Sequence, residues 1–171
     1  MMIKELIGGS MSKAEELLRD PKSVLVFDVD GVLAVLEFGE YNHFIYDDEE
    51  WDKATRAGAN FYTEDKVIKR MQRFLETKDK NNIYVITTVG NNNEGEYKRE
   101  YVNKYYGILK ENVYYVDHNR NKVEKILEIR KQHPDVDDHH IIMIEDSVDI
   151  LTDIMEKTNF TTVHISSFFD I

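Results

Sequence analysis

Residues 23–38 read SVLVFDVDGVLAVLEF, and the fold turns on how this stretch is understood. Val24 to Phe27 run straight into Asp28, Val29, Asp30 and Gly31. So apolar a run, rich in β-branched residues, predicts a strand over 23–28 that is buried on both faces. Strands of that kind belong mostly to parallel sheets covered by helices. Two acids at the carboxyl end of such a strand are candidate functional groups.

Outward from this strand, helical and strand patterns alternate. Upstream, Ser12 and Glu15 have the capping-box spacing, which predicts a short helix running to Arg19 and stopping before Asp20-Pro21. Downstream, residues 34–62 show no steady period and carry the acidic run Asp47 to Glu50 beside Trp51, so a long loop or minimal cap insertion with little regular structure is expected. Val67, Met71, Phe74 and Leu75 recur at helical spacing, and their helix ends near Lys78. A second strand is predicted over 82–88, a helix over 95–107 closed by Gly107, and a third strand over 112–117. A helix over 121–132 turns Val123, Ile126 and Leu127 to one face, with Pro134 just beyond it. A fourth strand over 140–147 leads into a helix with Val148, Leu151, Ile154 and Met155 inward, and a fifth strand follows over 160–166. Such alternation implies right-handed crossovers. The fold class is therefore α/β: a doubly wound, mostly parallel, five-stranded Rossmann-like sheet with helices on both faces and a small insertion after strand one. The 171 residues suit one domain.

Composition bounds the function. The chain holds 22 Lys+Arg against 33 Asp+Glu, a net charge of −11, which repels nucleic acid and anionic membrane. The basic clusters Lys66, Lys69, Arg70, Arg73 and Lys98, Arg99, Lys104 read as solvated helix faces. No apolar run approaches a membrane span, and the N-terminus lacks the apolar core of a secretory signal, so a soluble, cytoplasmic protein without a membrane partner is expected. With no cysteine, carboxylates and histidines are the available metal ligands. The six histidines show no ligand spacing and read as loop or surface residues.

In a doubly wound sheet, ligands sit outside the carboxyl ends of the strands, at the point where the winding reverses. That rule gathers Asp28 and Asp30, Thr87 and Thr88, and Glu145 and Asp146 into one crevice. Clustered carboxylates need protons or a cation to offset their charge, and a hard divalent ion such as Mg2+ suits them. A phosphate monoester held there would be open to in-line attack by one carboxylate, with the second serving as general acid and base.

The residues also carry a resemblance. VFDVDGVL resembles the D-x-D-G signature of the haloacid dehalogenase (HAD) superfamily of phosphohydrolases. IYVITT is similar to that family's second motif, a strand ending in a phosphate-binding threonine or serine, and MIEDSVD to its fourth, a strand ending in metal-binding acids. Lys122 fits the third motif best in position, with Lys98 and Lys125 as alternatives. The resemblance spans residues 23–165. It implies Asp28 as nucleophile, Asp30 as general acid and base, Thr87 on a phosphoryl oxygen and Lys122 against developing charge. Magnesium would be held by Asp28, the backbone carbonyl of Asp30 and Asp146, with Glu145 or Asp149 as alternatives beside Asp146. Val32 and the Glu145-Asp146 pair depart from the commoner pattern of threonine and Asp-Asp or Gly-Asp.

About 50 residues between the first two strands leave no room for a large cap. The expected substrate is a nucleotide or other small phosphate monoester. A looser resemblance to the 3′-phosphatase domain of phage-type polynucleotide kinases makes a 3′-phosphorylated nucleic-acid end the alternative. The sequence leaves open whether Trp51, Tyr41 and Tyr46 line the entrance, where aromatics could stack on a base. Rival readings are a receiver-like protein that accepts phosphate, and a binding protein whose catalysis is lost. Receivers differ in placing the accepting aspartate on the third strand.

Overall fold

A computed structural model of the chain describes residues 13–35, 37, 38, 42, 43 and 48–169. Among them, five strands form an all-parallel sheet: β1 (Val24–Phe27), β4 (Ile83–Thr88), β5 (Val113–Val116), β6 (Ile141–Glu145) and β7 (Thr161–His164), in the order β5-β4-β1-β6-β7. Two short strands after β1, namely β2 (Glu37–Phe38) and β3 (Asn42–His43), pair antiparallel with each other. Among the described residues the α-helices are α1 (Lys13–Arg19), α2 (Asp48–Arg56), α3 (Lys69–Glu76), α4 (Asn92–Tyr106), α5 (Lys122–Gln132) and α6 (Val148–Lys157).

Every residue of β1 is buried because both sheet faces are covered. Leu25 and Phe27 pack with Ile83, Val85, Ile142 and Ile144 beneath Leu18, Met71, Leu75 and Val102 of α1, α3 and α4. Val24 and Val26 point the other way, packing with Tyr84, Ile86, Ile141 and Met143 beneath Ile126, Ile129 and Ile154 of α5 and α6. This alternation follows from the two-residue side-chain period of a strand. The result is the α/β, doubly wound architecture expected from the sequence. The chain winds from β1 outward through β4 to β5, then crosses back to β6 and β7, so its direction reverses between β1 and β6.

Four expectations are corrected. The 34–62 segment is not without regular structure: α2 forms with Glu49 and Glu50 near its amino end and Lys53 and Arg56 near its carboxyl end, a distribution that suits the helix dipole. Trp51 and Thr55, four residues apart, give it a buried face. In α6 the inward stripe is Ile150, Leu151 and Ile154, while Val148 (64% exposed) and Met155 (58%) face solvent, because the helix starts at Val148 and packs one narrow stripe on the sheet. Leu127 of α5 is likewise exposed, and Val123, Ile126 and Ile129 carry the contact. Helix α4 begins at Asn92, earlier than its apolar pattern, because the Asn91 side chain accepts the Glu94 N–H, and it ends as expected at Gly107 in the left-handed conformation (φ +66°). The cap residue Ser12, and Tyr41 and Tyr46, lie outside the described residues. No described helix is long and apolar enough to cross a membrane.

Candidate functional site

The turn after β1 places the first two acids. The Asp28 N–H donates to Ile144 O (3.1 Å), continuing the β1–β6 ladder, so Asp28 emerges beside Glu145 at the end of β6. The Val29 carbonyl then accepts the N–H groups of Val32, Leu33 and Ala34 (3.2, 2.8 and 2.8 Å), which folds the chain back at Gly31. Gly31 has φ +76°, and a Cβ there would lie 2.3 Å from Asp146 Oδ2. Both the backbone conformation and the close approach of Asp146 thus require glycine.

Two buried lysines divide the carboxylates between them. Lys122, at the start of α5, sets its Nζ 3.1 Å from Asp28 Oδ1 and donates to Glu145 Oε2 (2.7 Å). The other Glu145 oxygen accepts the N–H groups of Asp146 and Ser147 (3.1 and 3.2 Å) at the start of α6, so both of its oxygens are engaged. Lys98, on α4, contacts Asp30 Oδ2 (2.8 Å), Glu94 Oε1 (2.9 Å), Thr88 O (2.6 Å) and Thr87 Oγ1 (3.3 Å). The Tyr62 hydroxyl donates to the second Asp30 oxygen (3.1 Å), and the Gly90 N–H to Glu94 Oε2 (2.9 Å).

Burial disfavours both ammonium groups, but neighbouring charges outweigh it. Asp30, Glu94 and Asp28 hold Lys98 above its usual range, and Asp28 and Glu145 do the same for Lys122. The acids also move up, but here burial is the main cause. Burial, then the Asp28 charge, push Glu145 up to about 8. Burial also raises Asp30, against the pull of Lys98. Tyr62 is held well above its ordinary value by burial and by the Asp30 and Glu94 charges, so its hydroxyl remains a donor.

Asp28, Asp30, Thr87, Glu94, Lys122 and Glu145 line an open cleft of about 730 Å³ together with Trp51, Asp52, Asp117, Asn119 and Asp146. Oxygens of Asp28, Glu145 and Asp146 lie within 4.8 Å of one another, a set able to hold a metal ion. Three observations fit a hard divalent cation there. Asp28 Oδ1 is buried and has the Lys122 ammonium 3.1 Å away, but no contact to it has hydrogen-bond geometry. Asp146 is exposed to the cleft and pressed against the Gly31 turn. The carboxylates Asp28, Asp30, Glu94, Glu145 and Asp146 outnumber the two lysines, leaving negative charge to offset. With Glu145 engaged on both oxygens, Asp146 and Asp28, whose contact with Lys122 is on Oδ1, are the donors with oxygens left to offer a cation.

The structure brings Asp28, Asp30, Thr87, Lys122, Glu145 and Asp146 to one cleft. It does not bring Lys125, which pairs with Glu128 (2.5 Å), nor Asp149, which lines a neighbouring groove. Lys98 is 1% exposed and does not lie on a solvated face as its cluster suggests. Glu94 and Tyr62 carried no signal in the sequence, since Glu94 and Lys98 resemble any exposed i,i+4 ion pair. His164 was also missed as a support. Its Nε2 meets Asp146 O (3.0 Å) while its Nδ1 faces Ser166, bracing the segment that carries Asp146. Compared with models of known protein families and with curated proteins, the chain has no significant match.

Proposed function

We propose that this chain is a cytoplasmic Mg2+-dependent phosphatase of the HAD type that hydrolyses a phosphate monoester, a nucleotide or similar small molecule, through an aspartyl phosphate on Asp28. The observation that carries the reading is the pairing of each acid of the D-x-D-G turn with its own buried lysine, Asp28 with Lys122 and Asp30 with Lys98, at the switch point of the sheet. A neutral structural turn has no use for two buried ammonium groups, whose burial opposes folding unless it is compensated.

In this reading the Asp28 carboxylate attacks phosphorus while the ester oxygen leaves with a proton from Asp30. Asp30 then takes a proton from water, which attacks the acyl phosphate, releases inorganic phosphate and restores Asp28. Lys122 offsets charge on the phosphoryl oxygens. Thr87 accepts from Lys98 and so keeps its own hydrogen for a phosphoryl oxygen. Asp28, Asp146 and the Asp30 carbonyl would hold Mg2+, with Glu145 fixing Lys122 beside them. Bound there, Mg2+ supplies further offset of phosphate charge and orientation of the ester. The test is phosphate release from a substrate panel, with Mg2+ or EDTA, by wild type and Asp28→Asn.

One observation favours a second substrate, the 3′-phosphorylated nucleic-acid end. Arg120 lines two grooves that adjoin the cleft at Asn119, is exposed, and pairs with no carboxylate among the described residues. A neighbouring phosphodiester would give it a partner.

A further inference from the structure

Lys98 has the burial expected of a phosphate-binding lysine but not its freedom. An ammonium has three hydrogens to donate; Asp30 Oδ2, Glu94 Oε1 and Thr88 O, all within 2.9 Å, engage all three, and Thr87 Oγ1 at 3.3 Å shares one of them. None remains to reach a substrate in the cleft. Glu94, 5% exposed, is fixed in turn by the Gly90 N–H on its other oxygen. Tyr62 closes the arrangement from the opposite side by donating to Asp30 Oδ1, and its ring packs between Trp51 (6.5 Å, edge-on) and Tyr101 (5.8 Å). Asp30 is therefore gripped on both carboxylate oxygens by groups that are themselves buried and held.

We propose that Lys98, Glu94 and Tyr62 form a positioning network that fixes the Asp30 carboxyl group for proton transfer to the leaving oxygen, and that Lys98 does not bind phosphate. This rests on the phosphatase reading above. The Asp30 side chain is partly open to the cleft; its two direct partners, Lys98 and Tyr62, are buried and not among the cleft's lining residues, while the buried Glu94 that holds Lys98 reaches the cleft wall. Asn91 extends the connection to the insertion. Its Nδ2 donates to Asp52 Oδ1 (2.9 Å) and Thr55 Oγ1 (2.7 Å) of α2, so the cap helix, the start of α4 and the Asp30 network are one packed unit. Small displacements of a proton donor are costly to rate, because transfer requires hydrogen-bond distance to the ester oxygen.

Leaving-group dependence distinguishes positioning from general support. An alkyl phosphate expels a strongly basic oxygen and needs the proton from Asp30, whereas p-nitrophenolate leaves with little help. Tyr62→Phe retains the packed ring and removes the donor, so it is the primary variant, with Glu94→Gln as the second and thermal melts as the control for folding. The expected result is a kcat loss on the order of tenfold larger for an alkyl phosphate than for p-nitrophenyl phosphate, with KM for both little changed. Equal losses on the two esters, or a rise in KM at constant kcat, would overturn the proposal. If the wild type released phosphate from no ester of the nucleotide, sugar-phosphate and oligonucleotide panel, or Asp28→Asn matched the wild type on all of them, the phosphatase reading would fail and take this inference with it.

Discussion

Lys122, the first residue of α5, holds its ammonium 3.1 Å from the Asp28 carboxylate at the end of β1. The same nitrogen donates to Glu145 at the end of β6, so one buried charge ties together the two strands between which the sheet reverses. Replacing Lys122 by Met leaves Asp28 and Glu145 buried without their cation. The variant is expected to lose about 3 kcal/mol of stability in urea titrations and at least about 100-fold in phosphate release. Adding Glu145→Gln should restore part of the stability and none of the activity. A Lys122→Met protein as stable as the wild type would show that the pair is not coupled to folding.

The same cluster sets a pH dependence of stability. Glu145 is raised from 4.5 to about 8. Between those values the folded chain keeps a proton that the unfolded chain has released, so this contribution is fully present below the lower value and is lost as pH rises through the window. Asp30, also raised, acts in the same sense. In EDTA, Tm should fall from about pH 5 to about pH 8, and Glu145→Gln should flatten much of that slope. A slope unaffected by Glu145→Gln would assign it to other groups.

Gly31 is a sensitive position that bears no functional group. Alanine there meets both a left-handed backbone and the Asp146 carboxylate at 2.3 Å. Gly31→Ala should cost about 1 kcal/mol or more of stability and displace Asp146. The Mg2+ concentration needed for half-maximal activity should rise by about tenfold, as it should in Asp146→Asn, whose exposed side chain leaves folding intact. Wild-type Mg2+ dependence in both variants would remove Asp146 from the metal site.

Substrate class can be read from salt. If the substrate is a polynucleotide end, KM should rise steeply with ionic strength, and Arg120→Ala should lower the logarithmic slope by about one. A small phosphate monoester should show a shallow dependence that Arg120→Ala leaves in place.

Much of this was legible in the sequence because the fold delivers strand ends to one edge. Once 23–28 is understood as a doubly buried strand, Asp28, Thr87 and Glu145 are placed by topology alone. The same reasoning fails for groups placed by packing across elements. Lys98 sits in a charged stretch, KRE, that looks solvated, and it is turned inward because it lies on the face of α4 that meets the ends of β1 and β4, where Asp30, Thr87 and Thr88 receive it. Helix α2 was hidden because its buried face consists of Trp51 and Thr55, with no apolar repeat. Val148 and Met155 fit a helical period yet face solvent, because periodicity gives a face and not its width.

The most direct test of the central claim is the rate of Mg2+-dependent phosphate release by wild type and Asp28→Asn across nucleotides, sugar phosphates and 3′-phosphorylated oligonucleotides. The account predicts release from at least one substrate, its loss in EDTA, and a fall of at least about 1,000-fold in a folded Asp28→Asn protein. Equal rates for the two folded proteins on every substrate would contradict it.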